Sequence, residues 1–234
     1  MKNSIQLLLC LAFALLVTDT LNAQAFQKGN KNVDVGIGFG FYGTKIKVTN
    51  TISNAGGSSD SSYTDTDGAA SRVIPIRFEY GLTDKIGLGL DLTISNYYID
   101  EEDEDEIARV NSFDIGVRSN YHLLNSDRND LMVGVGLGLS SMNWEAEPNQ
   151  GQFIDSYSGS GLYLSLEVAD RIFLTDHIGI LLNVGYRGYF YSALETKLTP
   201  EGEEFFQNSG VDFKQEIDWT FSGFTLGTGV AVKF

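Results

Sequence analysis

Two histidines, one cysteine and a run of seven carboxylates are the residues of this 234-residue chain whose types suit chemistry. A nucleophile works only with a base and an orienting group within reach. His122 falls near the end of a predicted strand and His177 in a predicted turn. Neither stands in such a set, so both read as structural polar residues. Cys10 lies inside an apolar run and follows leucines, where a lipid-acceptor cysteine would follow small residues. Zinc is disfavoured, because its sites draw on cysteines or closely spaced histidines. Gly36, Gly38 and Gly40 alternate within a strand pattern and lack the strand–loop–helix setting of a nucleotide fingerprint. No catalytic residue and no cofactor is expected.

The acidic run comprises Asp100, Glu101, Glu102, Asp103, Glu104, Asp105 and Glu106. Adjacent like charges repel, so the run reads first as a solvated tip between strands. Calcium takes six to eight oxygen ligands, which makes weak divalent binding the alternative, although the run lacks the spaced ligands and glycine of a formed calcium loop. Further along, Glu201, Glu203 and Glu204 flank Phe205 and Phe206. That phenylalanine pair suits either contact with a partner or packing back on the rim of the fold. The net charge of −15 excludes wrapping of nucleic acid, whose phosphates need an excess of lysine and arginine. It also disfavours docking by charge on an anionic lipid surface, and would steer cationic solutes or partners towards the molecule.

The elements that position these residues are strands. Residues 1–25 read as a secretory signal peptide, with Lys2, an apolar run from Ile5 to Val17, and small-residue cleavage sites ending at Ala23 or Ala25. Removing it takes away one lysine and one aspartate, so the charge stays at −15, and it takes away the only cysteine. In the remainder, residues 26–234, alternation with period two recurs. Val33–Phe41, Ile86–Ile94, Leu131–Leu139 and Phe224–Phe234 each set an apolar face against glycine, alanine or charge. Arg72–Gly81, Val110–Leu123, Gly161–Phe173 and Ile178–Ala193 follow the template less regularly, which makes eight strands.

The connections alternate. Long polar stretches at 50–71, 99–109, 145–160 and 194–218 are interleaved with short turns at 82–85, 124–130 and 174–177. A membrane barrel has long loops on one side and short turns on the other. The fold class predicted is therefore all-β: an eight-stranded, antiparallel, up-and-down transmembrane β-barrel. Its second face carries charges of both signs, Arg77, Glu79, Asp91, Asp114, Arg118, Glu167 and Arg187, which are expected to pair inside the lumen. The lumen-facing glycines would leave room for a thin water path. Tyr42, Tyr97, Tyr98, Trp144, Tyr191 and Trp219 are expected in an outer aromatic girdle, and Tyr80, Tyr121, Phe173 and Phe234 in an inner one. A soluble lipocalin-like barrel is the rival fold, but it would turn Arg77, Asp91, Arg118 and Arg187 outwards.

Two features resemble the small outer-membrane barrels of the OmpA/OmpX type. The chain ends in Gly229-Val230-Ala231-Val232-Lys233-Phe234, and Leu82-Thr83-Asp84-Lys85-Ile86-Gly87 recurs as Leu174-Thr175-Asp176-His177-Ile178-Gly179 at a second expected hairpin. The resemblance covers residues 26–234. It implies a place in the cell outer membrane, outer-membrane lipid around the barrel, and Phe234 as a signal for the barrel-insertion machinery. Lipid-modifying enzymes of that family act near the outer leaflet, which matches neither histidine. A structural or surface-interaction role through long acidic outer loops, towards an extracellular ligand or partner not identified by the sequence, is the first expectation. A narrow porin-like channel for small solutes is the second.

Overall fold

Alternation gives every strand two chemically distinct faces, because successive side chains point to opposite sides. The computed structural model describes residues 24–54, 57–99, 107–147 and 153–234. The acidic run Asp100–Glu106 lies outside the described residues, as do Cys10 and the expected signal segment up to residue 23. The strands are β1 (Lys31–Asn54), β2 (Gly57–Gly81), β3 (Ile86–Tyr97), β4 (Ile107–Asn125), β5 (Asn129–Ala146), β6 (Ile154–Phe173), β7 (Ile178–Leu198) and β8 (Asp212–Lys233). Each pairs antiparallel with its neighbour in sequence, and β1 pairs with β8, closing the barrel. At the seam Phe234 N–H donates to the Lys31 carbonyl (2.8 Å).

The outer face of the wall is an apolar belt. On β1 it runs through Val35, Ile37, Phe39 and Phe41, and on β5 through Val135, Leu137 and Leu139, all exposed. Leu162, Leu164, Leu166 and Val168 on β6 and Phe224, Leu226 and Val230 on β8 continue it. These rows of exposed apolar residues span five to seven residues of strands that run on beyond them at both ends, and a tilted strand crosses the hydrocarbon core in about nine to eleven residues. Arg77, Asp91, Arg118 and Arg187 are buried inside, which rules out the soluble, inverted alternative. A continuous exposed belt around a closed, polar-lined barrel is the arrangement of a membrane-spanning sheet.

The short turns lie at one end. Leu82 N–H and Thr83 N–H both donate to the Ile86 carbonyl, and Leu174 and Thr175 repeat this with Ile178. Thr83 Oγ1 and Thr175 Oγ1 each accept backbone N–H groups from the following residues, so the repeated Leu-Thr-Asp motif is a turn device.

At the other end the structure departs from the expectation of long loops. The polar stretch 50–71 is mostly strand, because β1 and β2 stay paired from Tyr42↔Ala69 out to Asn54↔Gly57. β8 pairs with the other edge of β1 out to Ser53↔Asp212, so the extension is a three-stranded sheet, and serine and threonine sustain it because a sheet in water needs hydrogen bonding but no apolar outer face. Much of 145–160 is likewise strand, and 194–218 contains the end of β7, a helix and the start of β8. The helix, α1 (Pro200–Ser209), begins with Thr199 Oγ1 accepting from Gly202 N–H (3.1 Å) and Pro200 in the first turn, and ends at Gly210 with φ 65°. Phe205 stacks on Phe153 and Phe206 on Phe213, so the phenylalanine pair packs back on the outer hairpins.

The girdles also need correction. Tyr42, Tyr97 and Tyr191 are buried inside the barrel, as is Phe173 at the other end, whereas Tyr80, Tyr98 and Tyr121 face outwards. The reason is parity. Tyr42 follows Gly36, Gly38 and Gly40 on the inner row, while the outer row of β1 ends at Phe41. Trp144 and Trp219 are half-buried and pack against the inner aromatic cluster.

Val135 sits midway along the apolar row of β5. Val135→Arg is therefore expected to destabilise the inserted barrel by about 2–4 kcal/mol, and Ile52→Arg on the protruding ribbon by much less. Urea unfolding from lipid vesicles measures both; equal costs would remove the belt assignment.

Candidate functional site

The lumen is filled in layers. At the turn end, the segment before β1 enters the barrel. Ala25 and Phe26 are fully buried, and the Phe26 ring stacks on His122. Ala25 N–H donates to the Ser126 carbonyl and Phe26 N–H to Asn125 Oδ1, while Gly81 N–H reaches back to the Asn30 carbonyl. This cork was not expected from the sequence.

Above it lies an arginine among carboxylates. Arg171 donates to Asp34 Oδ2 (2.7 Å), Glu79 Oε2 (2.6 Å) and Asp130 Oδ2 (3.0 Å). The His122 ring lies between Asp130 and Glu79 Oε1, and Asn120 donates to Glu79 as well. The guanidinium thus occupies the place where three carboxylates converge. A planar fork with five donors can serve several acceptors at once, which an ammonium does less well.

In the middle layer Glu167 accepts from Arg77 (2.6 Å), Arg118 (2.7 Å) and Asn183 (3.0 Å). Asp91 lies between Arg77 Nε (3.6 Å) and Arg187 Nη2 (3.5 Å) as an ion-pair partner. Arg187 continues to Asp114 (3.2 Å) and Thr93 (3.1 Å), and Asp114 also accepts from the hydroxyls of Ser140 and Tyr189. All seven lumen charges singled out in the sequence are therefore inside. Glu79 belongs to the Arg171 cluster, and the other six form this second one.

Sequence reasoning missed Asp34, Asp130 and Arg171, which lie at strand ends near the turns. Their inward parity was the available signal: Asp34 shares a row with Gly36 and Gly38, and Arg171 with Glu167. The glycines also differ from expectation. A Cβ on Gly134 would collide with Arg118 and Asn120, one on Gly87 with Glu79, and one on Gly116 or Gly138 with Tyr163. These four glycines are recesses occupied by long side chains from other strands, where the sequence alone predicts empty space.

A third layer is aromatic. Tyr42, Tyr163, Tyr189 and Phe221 are buried there, with Tyr189 stacked over Tyr191 and edge-on to Tyr42. Above this floor a cavity of about 370 Å³ opens between the extended hairpins. Its wall includes Ile46, Val48, Tyr97, Val110, Trp144, Tyr157, Leu194, Ile217 and Trp219, with Asp67 at its rim. Leu194 turns inwards because the β7–β8 register shifts between Tyr191 and Leu194, where Ala193 takes a φ of 51°. Asp218 holds that bulge by accepting from Ala193 N–H (3.0 Å) and Ser192 Oγ (2.9 Å), and these bonds keep its carboxyl below the usual range. Burial pushes the Tyr157 hydroxyl up to about 12.

No protein-family profile matches the chain, and no curated protein does. Solved structures do. The outer membrane protein OprG from Pseudomonas aeruginosa superposes with a TM-score of 0.57 at 15% identity, over 89% of this chain and 97% of that one. Lower scores come from Ail, the attachment invasion locus protein of Yersinia pestis (0.40, 11% identity, 88% and 99% covered). The outer membrane protease OmpT from Escherichia coli gives 0.45 at 13% identity, with 92% and 99% covered. At such identity the likeness to OprG is one of fold. Together with its own apolar belt, that fold makes this chain a transmembrane β-barrel of the outer-membrane type.

Removing the central guanidinium should be costly. Arg171→Met leaves three buried carboxylates without their counterion and is expected to destabilise the barrel by about 3–5 kcal/mol in vesicle unfolding. Adding Asp34→Asn, Glu79→Gln and Asp130→Asn should restore most of that. A single-variant loss near the ~1 kcal/mol of an exposed pair would contradict the cluster's role.

Proposed function

We propose that this outer-membrane barrel works at its outer mouth, as a surface-interaction or binding protein, and does not serve as a channel through its lumen. The observation that carries this reading is the filled lumen. Phe26, the Arg171 cluster, the Glu167 cluster and the aromatic floor follow one another along the axis, and their charged side chains are buried in contact with partners. A solute crossing this path would have to break several buried ion pairs in succession, each costly to separate in a low-dielectric interior.

The strands, in contrast, invest many residues beyond the membrane. The outer parts of β1 and β2, the end of β7, the start of β8, and α1 all stand on the side that in barrels of this type faces outwards. Residues held on such a scaffold are suited to recognition. In the same reading Phe234, on the seam strand, serves the barrel-insertion machinery, and the acidic stretch Asp100–Glu106 adds negative charge to the outer surface.

The test is ion conductance of the refolded full chain in a planar lipid bilayer, with insertion verified by protection of the belt from protease. Inserted but silent protein is the expected result. Discrete and reproducible conductance steps would overturn the plugged reading in favour of a narrow channel.

A further inference from the structure

We propose that the outer cavity is a binding site for a small organic cation with an apolar or aromatic body. The site rests on the reading that the outer mouth is the working end of the barrel. Three observations lead to it. First, the cavity has the size of a small-molecule site, about 370 Å³, and the buried aromatic layer closes its floor. Second, its lining includes aromatic rings from three strands, β5, β6 and β8. Trp144 and Tyr157 lie 4.8 Å apart at 54°, and Trp219, also in the lining, lies 4.6 Å from Phe221 of the floor at 31°. Rings set at angles around a space present several negative faces to one occupant, the arrangement that holds quaternary ammonium groups.

Third, the charge has one sign. Among the described residues Asp67 is the charged residue in the cavity lining, no lysine or arginine lies there, and no ion pair holds its carboxylate. Its Oδ1 accepts the Gly68 backbone N–H (2.7 Å), which fixes the carboxylate at the rim. An anion would meet this carboxylate and the ring faces without a counterion, and a neutral apolar molecule would gain from burial alone. A cation gains from burial, from the rings and from Asp67 together. The chain's net charge of −15 adds long-range attraction of the same sign.

The chain carries two tryptophans, Trp144 and Trp219, and both line the cavity, so intrinsic fluorescence reports on this site. The experiment titrates the refolded full chain with phenyltrimethylammonium, with the near-isosteric neutral 2-phenyl-2-propanol, and with the anion benzenesulfonate. A saturable change is expected for the cation, with affinity about threefold to thirtyfold above that for the neutral alcohol, the range of cation–π energies. The sulfonate should give none. Asp67→Asn and Tyr157→Leu should each weaken the cation and leave the alcohol nearly unchanged, in protein whose unfolding midpoint matches the parent. Equal affinities for cation and alcohol, a saturable response to sulfonate, or no saturable response to the cation would each overturn the proposal. Conductance judges the plugged lumen separately: a barrel that conducts and still prefers the cation would sink that reading and leave this site standing.

Discussion

A peptide group in hydrocarbon has no water to bond, so every N–H and C=O in the membrane must find a partner inside the protein. An open sheet cannot meet this condition at its edges, and an eight-stranded sheet meets it by pairing β8 with β1. Closure then divides the residues. One parity of each strand faces lipid and must be apolar, and all polar chemistry is confined to the lumen or to the hairpins beyond the belt.

That confinement explains the composition of the interior. An eight-stranded barrel has space for side chains but little more. Arginines and carboxylates brought into it need partners, because an isolated buried charge costs several kcal/mol. Arg171 answers three carboxylates, and Glu167 answers two arginines. Such long side chains fit only where the facing wall recedes, and the glycine rows provide those recesses. On the narrowest crossings glycine has a second duty, since a Cβ on Gly223 would meet the Phe41 carbonyl of the adjoining strand.

Beyond the belt the constraint relaxes and the geometry changes. Water can satisfy the free edge of β2, so β2, β1 and β8 run on together as a paired sheet while β3 stops at Tyr97. The uneven wall, the bulge at Ala193 and the aromatic floor together shape a cup. It stands above the aromatic floor and the buried charge clusters.

How much of this could be read in the chain varies with the range of the forces involved. Period-two alternation, the even number of strands, the short turns with their Leu-Thr-Asp motifs and the inward charges are local properties, and they determined the barrel, its membrane face and seven of its lumen charges. Parity would also have placed Tyr42 and Tyr97 inside, but aromatic residues near strand ends suggested a girdle. Only the tertiary structure decided which charges meet. Arg171 reaches Asp34 on β1 across the lumen while it faces Asp130 in the β5–β6 register, a meeting that depends on strand register and tilt. The corking by Phe26, the extension of polar segments as paired ribbon and the cavity walled by Trp144, Tyr157 and Trp219 have the same origin. Each arises from groups far apart in sequence that closure of the sheet brings within a few ångströms, and no local pattern encodes a distance across a barrel.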